Sequence, residues 1–98
     1  MNADSATTTI NVSGFLTDFT AGRSVIVLDT SPATVGAALA RLWEMYPGLR
    51  DRIVNERGEV RMHVNIFLKD ENIRHRELLE THLPENSEIT ILPSVTGG

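Results

Sequence analysis

One segment of the chain changes its hydrophobic period, and that change limits the fold more than any other feature. In DTSPATVGAALARLWEMYPG, Val35, Leu39, Leu42 and Tyr46 fall at i, i+4, i+7 and i+11, one face of an α-helix. Ser31 ahead of Pro32, or Thr34 itself, supplies the N-cap. Pro47-Gly48 stops the helix, and LRDRIV adds a short helical turn beyond it. On either side the pattern alternates instead. TTINV (Thr8 to Val12) and SVIVL (Ser24 to Leu28) read as two strands of a hairpin, joined by a longish loop whose TDFTAG carries turn residues. Val64, Ile66 and Leu68 alternate with His63, Asn65 and Phe67 in a third strand. Lys69 to Asn72 then reads as a turn, and Ile73 as the start of a short return strand. ELLETHLPENSE reads as a helical turn and a loop, and EITIL (Glu88 to Leu92) is the last strand.

A single main helix among strands has to cover one face of a mixed four- to five-stranded sheet. The first and last strands can pair in parallel at its centre, with the helix as part of the connection. The expected class is α+β, with the β-grasp (ubiquitin-like) architecture. Residues 1–98 form one domain, with a frayed, flexible N-terminus over 1–6 and a flexible tail over 93–98. A chain of 98 residues buries roughly 60–70% of its unfolded surface, enough for one core.

Charge and composition exclude several functions. The net charge is −4, and the nine Lys and Arg form no basic block, which argues against nucleic acid. No apolar run reaches membrane-spanning length, and MNADSATTT lacks the marks of a secretory signal, so a cytoplasmic location is expected. Cysteine is absent, which removes disulfides, thiolate metal sites and a cysteine nucleophile. His63, His75 and His82 are spaced 12 and 7 apart, which fits no helical ligand pair, so no metal is expected. Asp70, Glu71, Glu77, Glu80, Glu85 and Glu88 read as solvated charge. Gly36 stands in no phosphate-loop pattern, and Ser, Thr and His form no nucleophile arrangement. Trp43 and Met45 read as packing residues. No catalytic residue is expected, and the chain reads as a partner of enzymes rather than an enzyme.

ITILPSVTGG, Ile89 to Gly98, is the remaining anomaly: a strand, a proline, then a run ending in two glycines. Six extended residues from Pro93 reach about 20 Å. Without side chains on Gly97 and Gly98, such a tail fits a narrow channel in another protein and delivers the Gly98 carboxylate there. With VNIFLKDENIR (Val64 to Arg74) and TVGAALARL (Thr34 to Leu42), this segment resembles the ubiquitin-like sulfur carrier family over nearly the whole chain. That family includes the thiamine-pathway carrier, the small subunit of molybdopterin synthase and the carrier that feeds a cysteine synthase. LTDFTAGRSV and RDRIVNERGEVRMH resemble the longer, cysteine-synthase-associated subgroup and its relatives in sulfur-containing natural-product pathways. Thr96 departs from the common Ala, and the N-terminal extension is unmatched.

The resemblance implies a sulfur carrier. An adenylating enzyme of the ubiquitin-activating type, bringing ATP and zinc, activates the Gly98 carboxylate. A sulfur donor then leaves a thiocarboxylate, which serves a sulfur-accepting biosynthetic enzyme. Val95, Thr96 and Gly97 form the tail that carries it, and the chain needs no cofactor of its own. Three alternatives stay open: a subunit of molybdopterin synthase, a protein modifier forming isopeptide bonds, and a plain interaction domain. The free protein is expected to be a monomer. With Val64, Ile66 and Leu68 facing the helix, Phe67 and Leu92 face outward, an expected exposed apolar docking patch at the root of the tail.

Overall fold

The computed structural model describes residues 6–93. Five strands form one mixed sheet: β1 (Thr8–Val12), β2 (Val25–Leu28), β3 (Val64–Leu68), β4 (Glu71–Asn72) and β5 (Glu88–Pro93), in the order β2-β1-β5-β3-β4. β1 and β5 pair in parallel at the centre, with Ile10 opposite Ile89 and Val12 opposite Ile91. β2 runs antiparallel to β1, and β3 antiparallel to β5. A parallel central pair requires a crossover, and α1 (Val35–Met45) lies on it. This is the expected β-grasp arrangement.

Local chemistry sets the helix. Thr34 is extended, and its side chain accepts a hydrogen bond from the Ala37 amide at 3.1 Å, closing the first turn. Val35, Ala38, Leu39 and Leu42 are its buried face. They meet Ile10, Val12, Ile26, Leu28, Val64, Ile66, Ile89 and Ile91, the inward residues of four strands. Gly36 lets the helix approach the Leu78–Glu80 turn closely: a Cβ there would stand 3.0 Å from the Leu79 carbonyl oxygen.

The structure corrects three local expectations. Pro47 ends α1 but also opens α2 (Pro47–Ile53), whose Leu49 and Ile53 are buried. Proline at a first helical position loses no hydrogen bond, so it starts a helix as readily as it stops one. In the loop between β1 and β2, Gly14–Phe19 winds into 3₁₀ helix anchored by buried Leu16, and only Thr20, Ala21 and Gly22 form the expected turn. The return strand is Glu71–Asn72, two residues earlier than expected, and Ile73 instead begins a 3₁₀ helix (Ile73–His75) and turns into the core. Lys69 takes φ +60°, which tightens the turn and brings Glu71 opposite Leu68.

Among the described residues, no helix is long and apolar enough to cross a membrane.

Candidate functional site

Strand register builds the outer face of the sheet. One row crosses all five strands: Val25, Asn11, Thr90, Phe67 and Asn72. A second row holds Val27, Thr9 and Glu88, and a third pairs Leu92 with Asn65. Polar groups tie the middle together. The Asn11 amide donates to the Glu88 carboxylate at 2.5 Å and to the Thr90 hydroxyl at 3.3 Å. The Asn72 amide donates to the Asn65 side-chain oxygen at 3.2 Å.

Phe67 and Leu92 share this face, as period two requires, but both are half-buried rather than exposed. Phe67 stands directly opposite Thr90 and Asn72, and Leu92 opposite Asn65, so the two apolar side chains are diagonal neighbours within a polar frame. Larger apolar exposure lies on edge strand β2, where Val25 and Val27 are 54% and 58% exposed. Sequence reasoning passed over both, although the signal was present. In the run VIVL, turning Ile26 and Leu28 inward forces the valines out.

The root of the tail is held on two sides. Pro93 pairs with Val64 at the start of β3. On the other side Gly14, at φ +66°, lies so near that a Cβ would come within 3.2 Å of the Pro93 ring. The Ser13 amide donates to the Ile91 carbonyl at 3.3 Å, extending the central pairing to this point. Beyond Gly14 and before Val64 stand Phe15 and His63, which with Asp51, Arg52 and Arg61 line an open cavity of about 310 Å³. The Arg52 guanidinium stacks 4.6 Å from the centre of the Phe19 ring, and Arg61 Nε donates to the Asp51 carbonyl at 2.8 Å. In a chain of net charge −4, this end presents cations beside the last residue of β5. The expected tail residues Val95, Thr96, Gly97 and Gly98 lie outside the described residues.

His63, His75 and His82 do not gather with carboxylates into a group of three metal-ligating side chains among the described residues. His75 ends the 3₁₀ helix after β4, and His82 forms an isolated bridge with Thr34.

A family model described as the ThiS family matches residues 10–98. The chain belongs to the ThiS family. Within that family it is 30% identical to the sulfur carrier protein CysO of Mycobacterium tuberculosis over 92 residues, 92% of this chain and 97% of the relative. It is 36% identical to small archaeal modifier protein 3 of Haloferax volcanii over 66 residues, 67% of this chain and 71% of the relative. Among solved structures it is similar to an Amycolatopsis orientalis BexX/CysO complex, with a TM-score of 0.82, 26% identity, and 93% and 99% of the two chains covered. This ThiS-family chain thus has a sulfur carrier and a small modifier protein among its relatives, and it shares the β-grasp sheet of the solved CysO.

Proposed function

We propose that this chain carries sulfur on the carboxylate of Gly98 and delivers it to a biosynthetic enzyme, in the synthesis of cysteine or of a sulfur-containing cofactor or metabolite. The observation that carries the reading is the ThiS-family match, which continues out of β5 and through Gly97-Gly98. A carboxylate is a poor electrophile. An adenylating enzyme of the ubiquitin-activating type attacks the α-phosphate of ATP with it, forming an acyl-adenylate and releasing pyrophosphate. A sulfur donor then displaces AMP, and the carbon–sulfur bond of a thiocarboxylate replaces the carbon–oxygen bond to phosphate. Its sulfur, ionised near neutral pH, attacks an electrophile bound in the accepting enzyme. The chain contributes no catalytic group and no cofactor; ATP is the partner's. With no cysteine anywhere in the chain, a persulfide is not available, and the sulfur rides on the terminus.

The remaining parts of the reading follow from this role. Val95, Thr96 and Gly97 thread the partner's channel. Phe67 and Leu92 dock against it beside the tail root. The carrier is a cytoplasmic monomer between its partners, and the A. orientalis CysO in complex with BexX supports a carrier that meets its partner protein directly.

Intact mass tests the proposal. Incubated with its adenylating enzyme, ATP and a sulfur donor, the protein is expected to gain the mass of one oxygen-to-sulfur exchange. Removing Gly97 and Gly98 abolishes that gain and changes stability by no more than about 0.5 kcal/mol. Equal loading of the truncated chain overturns the reading. The likeness to a small archaeal modifier protein favours a second one, in which the same adenylate is attacked by a lysine amine to give an isopeptide bond. Lysines carrying the branched remnant ITILPSVTGG, Ile89 to Gly98, in glutamate-specific digests of native-host lysate separate that outcome from sulfur loading.

A further inference from the structure

On the far side of β4, two tight turns face each other across an open groove of about 410 Å³. One wall is the 77–81 turn. Glu80 N donates to the Glu77 carbonyl, Thr81 N to the Leu78 carbonyl, and Glu77 N to the Thr81 hydroxyl at 3.0 Å. The Val35 amide donates to the Thr81 carbonyl, which fastens the turn to the start of α1. The other wall is a hairpin. Asn55 Oδ1 accepts from the amides of Arg57 and Glu59, and Val54 bridges Val60. Both walls are closed by hydrogen bonds, so the groove is pre-formed.

Leu78 is the anomaly. Its φ is +54°, the left-handed region where a bulky side chain is strained and glycine or asparagine is usual. Burial does not offset that strain, because Leu78 remains 48% exposed while its neighbour Leu79 turns inward against Gly36 and the core. Strain that no packing explains points to a role outside the free molecule. The groove that Leu78 borders has an apolar floor with Val60 and Leu79, and carboxylates at Glu59, Glu77 and Glu80. None of the ion pairs among the described residues uses those carboxylates. The one cation of the lining, Arg74, is held in place by donating Nη2 to the carbonyls of Arg61, Met62 and Val64, and the three carboxylates outnumber its charge; Glu59 also accepts from the Asn55 amide at 3.1 Å.

We infer that this groove is a second docking site, for a partner segment that inserts apolar side chains between flanking lysines or arginines. The apolar floor receives the insertion, and the three carboxylates select cationic neighbours. The site is separate from the outer sheet face and does not depend on what Gly98 carries. It adds a surface by which a cationic partner is distinguished from others that accept only the tail.

The probe is a blocked hexapeptide amide, Lys-Arg-Leu-Leu-Arg-Lys, titrated into the ¹⁵N-labelled full chain, with Lys-Arg-Ser-Ser-Arg-Lys as control. Saturable shifts are expected at residues 58–60 and 77–80, and the serine peptide should bind about tenfold more weakly or worse. Glu77→Gln with Glu80→Gln should weaken the leucine peptide, and added salt should do the same. Leu78→Gly is the decisive variant. Glycine takes the left-handed conformation freely. Its melting temperature should equal or exceed that of the parent, while peptide affinity falls about tenfold. Equal binding of both peptides, shifts centred on the Phe67 face, or a melting point more than about 5 °C lower in Leu78→Gly overturns the inference.

Discussion

Strands β3 and β5 carry two different surfaces on one backbone. Val64, Ile66, Leu68, Ile89 and Ile91 turn inward and are buried, whereas Asn65, Phe67, Thr90 and Leu92 on the same strands remain half-buried on the outer face. Side chains alternate across a strand, so neighbouring positions meet the core and solvent in turn. Folding and docking can therefore be altered separately by substitutions one residue apart. The outer face is also not uniformly apolar. A polar seam of Asn11, Glu88 and Thr90 runs down its middle, with apolar groups on both sides.

The largest effect that tests this division is on the inner face. Ile91→Ala should lose about 2–5 kcal/mol, since it empties a fully buried site between β1 and β3. Urea denaturation measures it, and a loss under about 1 kcal/mol would mean that the two faces are less distinct than their burial implies. Gly36→Ala asks whether the helical layer is as tight as the sheet. Alanine improves helix propensity by up to about 1 kcal/mol. The approach to the Leu79 carbonyl at 3.0 Å outweighs this gain, because the hydrogen-bonded turn cannot withdraw, and a net loss of about 1 kcal/mol is expected in thermal denaturation.

On the outer face the sign of the test reverses. Phe67→Asp should cost about 1 kcal/mol of stability, since the half-buried ring is lost from a strand, yet leave the protein folded and weaken the adenylating enzyme's grip about tenfold, measured by titration calorimetry beside a melting curve. An unfolded variant, or unchanged affinity, removes Phe67 from the docking role. Val27→Lys should have the smallest effect, within about 0.5 kcal/mol, because the side chain already stands in solvent on an edge strand. A larger loss by the same melting curve would show that the valine edge is held by contacts within the chain.

Most of the fold is legible residue by residue. The period of Val35, Leu39 and Leu42 marks the helix, the Thr34 cap marks its start, and the alternation in VNIFL and EITIL marks which side chains enter the core. Each signal is local, set by backbone geometry within a few residues. The misread segments are those where a tertiary contact decides. Ile73 leaves the expected return strand because burying its side chain outweighs extending a short edge pairing. The Gly14–Phe19 segment winds into 3₁₀ helix as its own Leu16 enters the core, whose partners lie elsewhere in the chain.

The candidate sites divide along the same line. The Gly97-Gly98 tail and the outward direction of Phe67 are written in the sequence, because composition and period two need no partner. That Phe67 meets Thr90 and Asn72, that Pro93 rests against Gly14, and that Leu78 faces Val60 across a groove depend on strand register and on turns closed by distant hydrogen bonds. The sequence by itself determined the main helix and the four longer strands, and which of their side chains point inward. Only the tertiary structure decided which outward residues become neighbours, because register and loop closure are settled by contacts between segments far apart in the chain.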